Sequence, residues 1–228
     1  ATIRGERVEA SVRVPAGCPM TPQDLPPAVD TVVLGAGMDT GLDTRPWRSE
    51  SRRVLVEVVS VSEATEAAAG AAGPVDGLIA RGSEAGGRVG ELSTFLLVQR
   101  LSGNPSLALP IWAAGGIGLH TAAAAVAGGA AGVVLDAQLA LTAEGADALP
   151  GETIAALQAM DGSETAVIAG HRVFSRPDLT GGPVPETPGD MAVLLGSHIG
   201  SHLGSHLASR PGQGTCWLPA GQDAAFAR

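Results

Sequence analysis

The first part of the chain alternates short apolar runs, rich in β-branched residues, with alanine-rich stretches of helical character. The runs lack the polar alternation of half-exposed strands, as expected when helices cover both faces of a parallel sheet. This order predicts an α/β fold. The predicted strands are Val8–Val14, Thr31–Leu34, Val54–Val59, Gly77–Ala80, Leu109–Ala113 and Gly132–Leu135, and the predicted helices are Ser62–Ala72, Leu92–Leu101 and His120–Gly128.

The composition excludes several kinds of chemistry. The chain has no Lys and no Tyr, so it can form no Schiff base, no P-loop lysine contact and no phenolic catalyst. A net charge of −9 with scattered arginines argues against a nucleic-acid partner. Cys18 and Cys216 are far apart and lack metal-ligand spacing, which favours reduced thiols in a cytoplasmic protein. Neither a signal peptide nor a membrane-spanning run is predicted.

Three of the predicted strands end in glycines. In parallel α/β folds ligands bind at the carboxyl ends of the strands, where glycine lets backbone amides approach an anion. Gly115, Gly116 and Ile117 open the helix near His120, so their N–H groups form a predicted phosphate cradle. The other strand-end glycines are Gly35 and Gly37 after the second strand, and Gly82, Gly86 and Gly87 after the fourth.

The chain has five histidines, which are candidate ligands or catalysts. In the tail, His198, His202 and His206 recur every four residues, a spacing that can hold a metal on a helix. Three glycines in that stretch disfavour a helix, and no carboxylate neighbours the triplet, so no metal site is predicted. His120 and His171 are expected at the surface.

Two motifs in the central region carry a family resemblance. They are Gly82-Ser-Glu-Ala-Gly-Gly-Arg88 and Pro110-Ile-Trp-Ala-Ala-Gly-Gly-Ile117. Together they resemble the nitronate monooxygenase (2-nitropropane dioxygenase-like) FMN-binding barrels, which include flavin-dependent enoyl reductases of fatty-acid and polyketide synthesis. The resemblance extends over about Thr31 to Pro177 and includes three further segments: Arg53–Ala64, Ala122–Val134 and Asp161–Ile168.

The resemblance implies a TIM-type (β/α) barrel. A closed barrel has eight strands in about 250 residues, so six strands predict a barrel incomplete at its N-terminal side. Barrel units are assigned to residues 1–141, and a covering segment with a C-terminal tail to residues 142–228. Within the covering segment, Glu152–Met160 predicts a helix and Thr165–Ala169 a strand. Apolar surface left exposed by the missing units would favour association with another polypeptide or a second copy of the chain.

The resemblance also implies FMN as cofactor. Its phosphate would lie on Gly115, Gly116 and Ile117 with Gly86 and Gly87 on the neighbouring loop, and Gly35 and Gly82 would lie beneath the flavin ring. A small molecule or an acyl thioester would bind in front of Arg88, the candidate catalytic residue. Glu84 is expected to orient its own loop by accepting backbone hydrogen bonds.

The chain departs from the family pattern at three positions. Arg88 replaces the histidine that often acts as a base, and an arginine cannot abstract a proton at neutral pH. Asp136 lies where the family holds phosphate with Gly-Thr, and Glu57 replaces a common threonine. Arg88 and the tail Leu218–Phe226 resemble the barrel domain built into modular polyketide synthases, whose other domains would be partners.

These features leave two functions open. One is an FMN-dependent oxidoreductase, such as an enoyl-thioester reductase or a nitronate monooxygenase relative, in a polyketide or fatty-acid synthase. The alternative is a non-catalytic architectural barrel domain of a polyketide synthase. A third hypothesis rests on Val32–Thr40, which is similar to the first motif of S-adenosylmethionine methyltransferases. It is disfavoured, because no acidic ribose ligand follows at the expected distance in a clear strand.

Overall fold

The structure is a computed structural model and describes residues 2–3, 6–7, 10–16, 18–37, 43–48, 52–70, 72–143, 150–175, 184–195 and 217–226. Its strands are β1 (Thr2–Ile3), β2 (Glu6–Arg7), β3 (Ala10–Val14), β4 (Val29–Leu34), β5 (Arg53–Val58), β6 (Gly77–Arg81), β7 (Gly87–Arg88), β8 (Ile111–Ala114), β9 (Gly132–Val134), β10 (Thr165–Ile168), β11 (His171–Ser175) and β12 (Trp217–Leu218). Strands β1 and β2 form a separate antiparallel pair.

The main sheet has six parallel strands in the order β3-β4-β5-β6-β8-β9. Each strand lies beside the next one along the chain, which is the arrangement of a barrel rather than of a doubly wound sheet. The sheet curls into a half-barrel, and this confirms the predicted α/β barrel fold with six recognisable strands. A fully buried strand such as β6 explains the unbroken apolar runs in the sequence.

Three helices lie between the later strands, and a fourth follows the sheet. They are α1 (Val61–Ala68), α2 (Thr94–Ser102), α3 (Leu119–Ala127) and α4 (Gly151–Ala159). All four were predicted, with ends that differ by one to four residues. Serine hydroxyls fix two of the starts: Ser60 accepts from the amide of Glu63, and Ser93 from that of Leu96. Residues 188–195 are also helical.

The largest core cluster lies between the sheet and helices α1 to α3. Leu78 on β6, Ile111 on β8 and Leu97 and Leu101 on α2 are buried there. A second cluster joins β3, β4 and β5 around Trp47. Because all six strands of the main sheet are parallel, the loops at their carboxyl ends meet at a single edge of the sheet.

A small antiparallel sheet covers part of this edge. It contains β10, β11 and β12, and β7 pairs with β11. The predicted strand Thr165–Ala169 is confirmed as β10, whereas β11 was not predicted because its polar and apolar residues mix without a clear period. Since β7 belongs to the Glu-Ala-Gly-Gly-Arg motif, its pairing with β11 ties the covering segment directly to that motif.

Candidate functional site

The loops that follow β4, β6 and β8 bring the predicted glycines to the carboxyl edge of the sheet. Gly35 and Gly82 are both buried close to neighbouring backbone. The Gly35 amide donates to the carbonyl of Val14, and a Cβ on Gly35 would lie 2.8 Å from the Cα of Pro15. A Cβ on Gly82 would collide with Thr94 at the start of α2. Both glycines therefore permit close packing of the strand ends, while their place beneath a flavin stays a prediction.

The loop after β8 has the geometry of an anion cradle. Gly115 and Gly116 adopt φ values of +100° and +63°, which favour glycine. Among the described residues, no group accepts a hydrogen bond from the amides of Gly115, Gly116 or Ile117. The Thr121 hydroxyl stabilises the loop from inside by donating to the Gly116 carbonyl at 2.7 Å. Unpaired amides in the loop that leads into α3 fit the phosphate of a cofactor.

The Glu84–Gly87 loop packs directly against this cradle. A Cβ on Gly115 would lie 2.6 Å from the amide nitrogen of Ala85, so the two loops touch through their backbones. The Glu84 carboxylate accepts from the Thr94 amide at 2.9 Å and from its hydroxyl at 3.1 Å. Glu84 therefore orients its loop, as predicted: its carboxylate accepts from the start of α2, and its side chain passes 3.3 Å from where a Cβ on Gly116 would lie.

A buried charge network lies inside the curled sheet. Glu57 on β5 is 3% exposed and accepts from Arg13 Nε and Nη2, each at 2.7 Å, from Arg81 Nη1 at 2.9 Å, and from the Ala36 amide at 3.0 Å. Burial opposes ionisation of Glu57, but the Arg81 cation and the Arg13 hydrogen bonds lower its pKa to about 2. Glu57 is therefore ionised, and it neutralises cations on two other strands.

Arg81 extends this network toward the predicted phosphate site. It is 2% exposed, donates to the Gly86 carbonyl, and lies 3.4 Å from Asp136 after β9. Its Nε has no hydrogen-bond partner among the described residues. The sequence singled out Glu57 and Asp136 only as departures from a pattern; their link through Arg81 required the strand order.

Arg88 is held in a fixed direction by Glu63 on α1. Its Nη2 and Nη1 donate to the two Glu63 oxygens at 2.6 and 3.2 Å, and both side chains remain partly exposed. A Cβ on Gly37 would lie 2.7 Å from the Arg88 Cδ, so that glycine leaves room for the side chain. The Arg88–Glu63 pair places a cation beside the glycine loops, and Glu63 binds only two of the N–H groups of Arg88.

His171 lies next to Arg88 through the β7–β11 pairing. It is 4% exposed, so the expected surface position is wrong; the covering sheet buries it. Burial lowers the pKa of His171, and the Arg88 cation lowers it further. The hydrogen bond to the Ala169 carbonyl acts in the opposite direction but does not outweigh them. A neutral imidazole is therefore favoured here. His120, by contrast, is exposed as expected.

The segment Leu218–Phe226, named here the C-terminal cap, was not predicted to be part of the site. Asp223 in the cap is fully buried, and no described group donates a hydrogen bond of good geometry to either carboxylate oxygen. Burial and the nearby Asp136 raise the pKa of Asp223 to about 6, while its own amide, Arg81 and the Ala137 amide act in the opposite direction. The only sequence signal for the cap is the family resemblance of the tail Leu218–Phe226, which does not distinguish Asp223 from its neighbours.

Other predicted features give no further site. The tail histidines at 198, 202 and 206, Cys216 and part of the methyltransferase-like motif (38–40) lie outside the described residues. Within the described ranges, no three His, Cys, Asp or Glu side chains gather in a way that could hold a metal. In the same ranges, no helix has the length and hydrophobicity needed to cross a bilayer.

Comparison with known proteins identifies relatives of this arrangement. The family model described as nitronate monooxygenase matches residues 28–161. The M276A mutant of FabK from Thermotoga maritima has a similar structure, with a TM-score of 0.68 and 26% identity over 97% of this chain and 69% of that one. No curated protein sequence matches the chain.

Two further solved structures share the fold. A nitroalkane oxidase from Streptomyces ansochromogenes has a TM-score of 0.59 and 26% identity, covering 88% of this chain and 60% of that one. The enoyl reductase domain of MlnA, from the macrolactin biosynthesis cluster of Bacillus amyloliquefaciens, has a TM-score of 0.54. It is 12% identical over 90% of this chain and 57% of that one, so it supports the fold alone.

Proposed function

Because the chain belongs to the nitronate monooxygenase family, we propose that it is an FMN-dependent oxidoreductase domain that reduces an enoyl thioester within a polyketide or fatty-acid synthase. The observation that carries the proposal is the cradle of Gly115, Gly116 and Ile117, whose amides have no described acceptor. It lies at the carboxyl edge of a parallel sheet, where barrel phosphates commonly bind. Gly86 and Gly87 line the adjacent loop.

Arg88 is the residue we propose to contact the substrate. Reduction of an enoyl thioester adds a hydride at the β carbon and a proton at the α carbon, and negative charge develops on the thioester oxygen. The bound flavin would supply the hydride, and NADH or NADPH would reduce it again. Arg88 can stabilise the developing oxyanion, since Glu63 fixes its orientation through only two of its N–H groups. It stays cationic and does not supply the proton at the α carbon, which would come from water.

A second candidate is an architectural domain without catalysis. Two carboxylates, Asp136 and Asp223, lie at the loops where a phosphate dianion would bind. Arg88 also replaces the base that the family resemblance implies. Both observations favour a barrel retained for its shape, in which case the purified protein would be colourless and would not bind FMN.

Fluorescence titration with FMN, using a matched pair of glycine variants, tests the proposal. Gly116→Asp places a carboxylate in the cradle at a φ of +63°, with its Cβ 3.3 Å from the Glu84 side chain. Gly70→Asp is the control, because Gly70 has a φ of +68° just after α1 and an added Cβ would make only an ordinary contact there, 3.8 Å from the Gly73 carbonyl oxygen. We expect Gly116→Asp to abolish FMN binding and Gly70→Asp to keep it. Equal FMN affinity in wild type and Gly116→Asp would refute the cradle, and a wild type that binds no FMN would favour the architectural candidate.

A further inference from the structure

The C-terminal cap lies across the glycine loops of the proposed FMN site. The Gln222 amide donates to the Glu84 carbonyl at 2.9 Å. A Cβ on Gly86 would lie 2.5 Å from the Pro219 carbonyl oxygen, and one on Gly221 would lie 2.7 Å from the Gly86 nitrogen. The cap therefore rests on the backbone of the Glu84–Gly87 loop with no side chain between them.

The cap also reaches the other two phosphate-site loops. A Cβ on Gly118, at the start of α3, would lie 3.1 Å from the Phe226 side chain. The 3-10 helix of the cap, Gln222–Phe226, packs against the 3-10 helix Ala137–Leu141 that follows β9. One short segment thus contacts the loops after β6, β8 and β9, which are the loops expected to surround a phosphate.

Asp223 is the group that the cap carries into this position. Its carboxyl is fully buried and without a hydrogen-bond donor of good geometry, although the Ala137 amide lies close enough to favour its ionised form. The charged side chains that act on it are Asp136 after β9 and Arg81 on β6. A carboxylate and a phosphate are both anions that bind backbone amides. A buried, unsatisfied carboxyl is costly to the folded chain and is easily exchanged for a better arrangement.

We infer that the C-terminal cap is a self-inhibitory element: it holds the Asp223 carboxylate among the loops expected to surround a ligand phosphate, so that the docked cap and a phosphate-bearing ligand disfavour each other. This inference rests on the proposed FMN site. By linkage, the docked cap weakens phosphate binding, and bound phosphate weakens docking of the cap. Phosphate binding should therefore release the cap, and a neutral residue at 223 should strengthen phosphate binding. A ligand without phosphate is not affected in this way.

The test compares Asp223→Asn with wild type and with Glu152→Gln, a control that neutralises an exposed carboxylate in the first turn of α4. Affinities for FMN, riboflavin and inorganic phosphate are measured by calorimetry. At about pH 8 we expect Asp223→Asn to bind FMN and phosphate at least about tenfold more tightly than wild type, with riboflavin unchanged. The ratio between variant and wild type should shrink below about pH 6, where Asp223 takes up a proton. Because the ratio compares two proteins that bind the same ligand, any effect of the ligand phosphate's own titration cancels.

Hydrogen exchange at the Gln222 amide reports the cap directly, because that amide is bonded to Glu84 in the docked state. FMN or phosphate should reduce its protection. Equal FMN affinities in wild type and Asp223→Asn would overturn the inference and leave the proposed function standing. Tighter binding of inorganic phosphate by Asp223→Asn, with no FMN binding by either protein, would support the inference and overturn the proposed function. If neither wild type nor Asp223→Asn binds FMN or inorganic phosphate, the inference and the proposed function would both be overturned.

Discussion

Replacing Glu57 by Gln should reveal how strongly the buried network depends on a single negative charge. The change keeps the side-chain shape but leaves Arg81, which is 2% exposed, without its buried counter-ion. Removing one partner of a buried ion pair typically costs about 3–5 kcal/mol, since the remaining charge stays desolvated. Arg13 contributes less to this cost, because its side chain is 43% exposed and can regain water.

The pKa of Glu57 gives a second route to the same magnitude. A decrease from 4.5 to about 2 on folding corresponds to about 3 kcal/mol of stability for the ionised form. Because the folded-state pKa is depressed, this stability is present above about pH 4.5 and is lost as the pH falls toward 2. The difference between wild type and Glu57→Gln should therefore be full at neutral pH and should shrink in acid.

Urea unfolding followed by circular dichroism measures the difference in the free energy of unfolding. The control is Arg45→Gln, because Arg45 Nε and Asp43 Oδ1 are also 2.7 Å apart but both side chains are exposed. We expect no measurable loss in the control. A loss below about 1 kcal/mol for Glu57→Gln at neutral pH, or equal losses in the two variants, would refute the reasoning that burial gives the network its strength.

Two further predictions concern the cap and the open side of the sheet. Burial raises the pKa of Asp223 to about 6, so its ionisation should lower wild-type stability as the pH rises from about 4 to above 6. Asp223→Asn should therefore be more stable than wild type by about 1–3 kcal/mol at about pH 8. Thermal melting measures this difference, and identical pH profiles in the two proteins would contradict it. Leu135 and Leu139, after edge strand β9, and Phe226 in the cap are each about half exposed, and we expect them to lie in a contact with a second copy of the chain. Light scattering should show a dimer that Leu139→Glu dissociates; a wild-type monomer at high concentration would oppose it.

The sequence predicted the sheet well because its signal was local. Strand β6 is buried along its whole length, and such strands are apolar runs that can be recognised without knowing their neighbours. Strand β11 was missed, since His171 and Arg172 interrupt its apolar positions, although its partner β10 is adjacent in the sequence. Its pairing with β7 joins His171 to Arg88, which is far away in the sequence. Predicted helix ends differed from those observed because serine caps, rather than hydrophobic periodicity, fix where α1 and α2 begin.

The candidate site was predictable only in its backbone part. The glycines at Gly115 and Gly116 could be found because a left-handed turn after a strand leaves a mark in the sequence. The contacts of Arg13 and Arg81 with Glu57 could not, because they join residues 44 and 24 positions apart and depend on strand order. Asp223 lies in a segment without periodicity, so nothing in the sequence separates a buried carboxyl there from an exposed one.

The Glu57 carboxylate also has a consequence for strand register. It is bonded to a side chain on β3, to the amide that follows β4 by two residues, and to a side chain on β6, while lying itself on β5. Successive residues of a strand point to opposite faces, so a slip of one residue in any of these strands would turn one partner away from the others. Four strands must therefore be aligned before the bonds can form together. Edge strand β3 is tied to the centre of the sheet by its Arg13 side chain as well as by its ladder, so it should resist fraying as strongly as its interior neighbours.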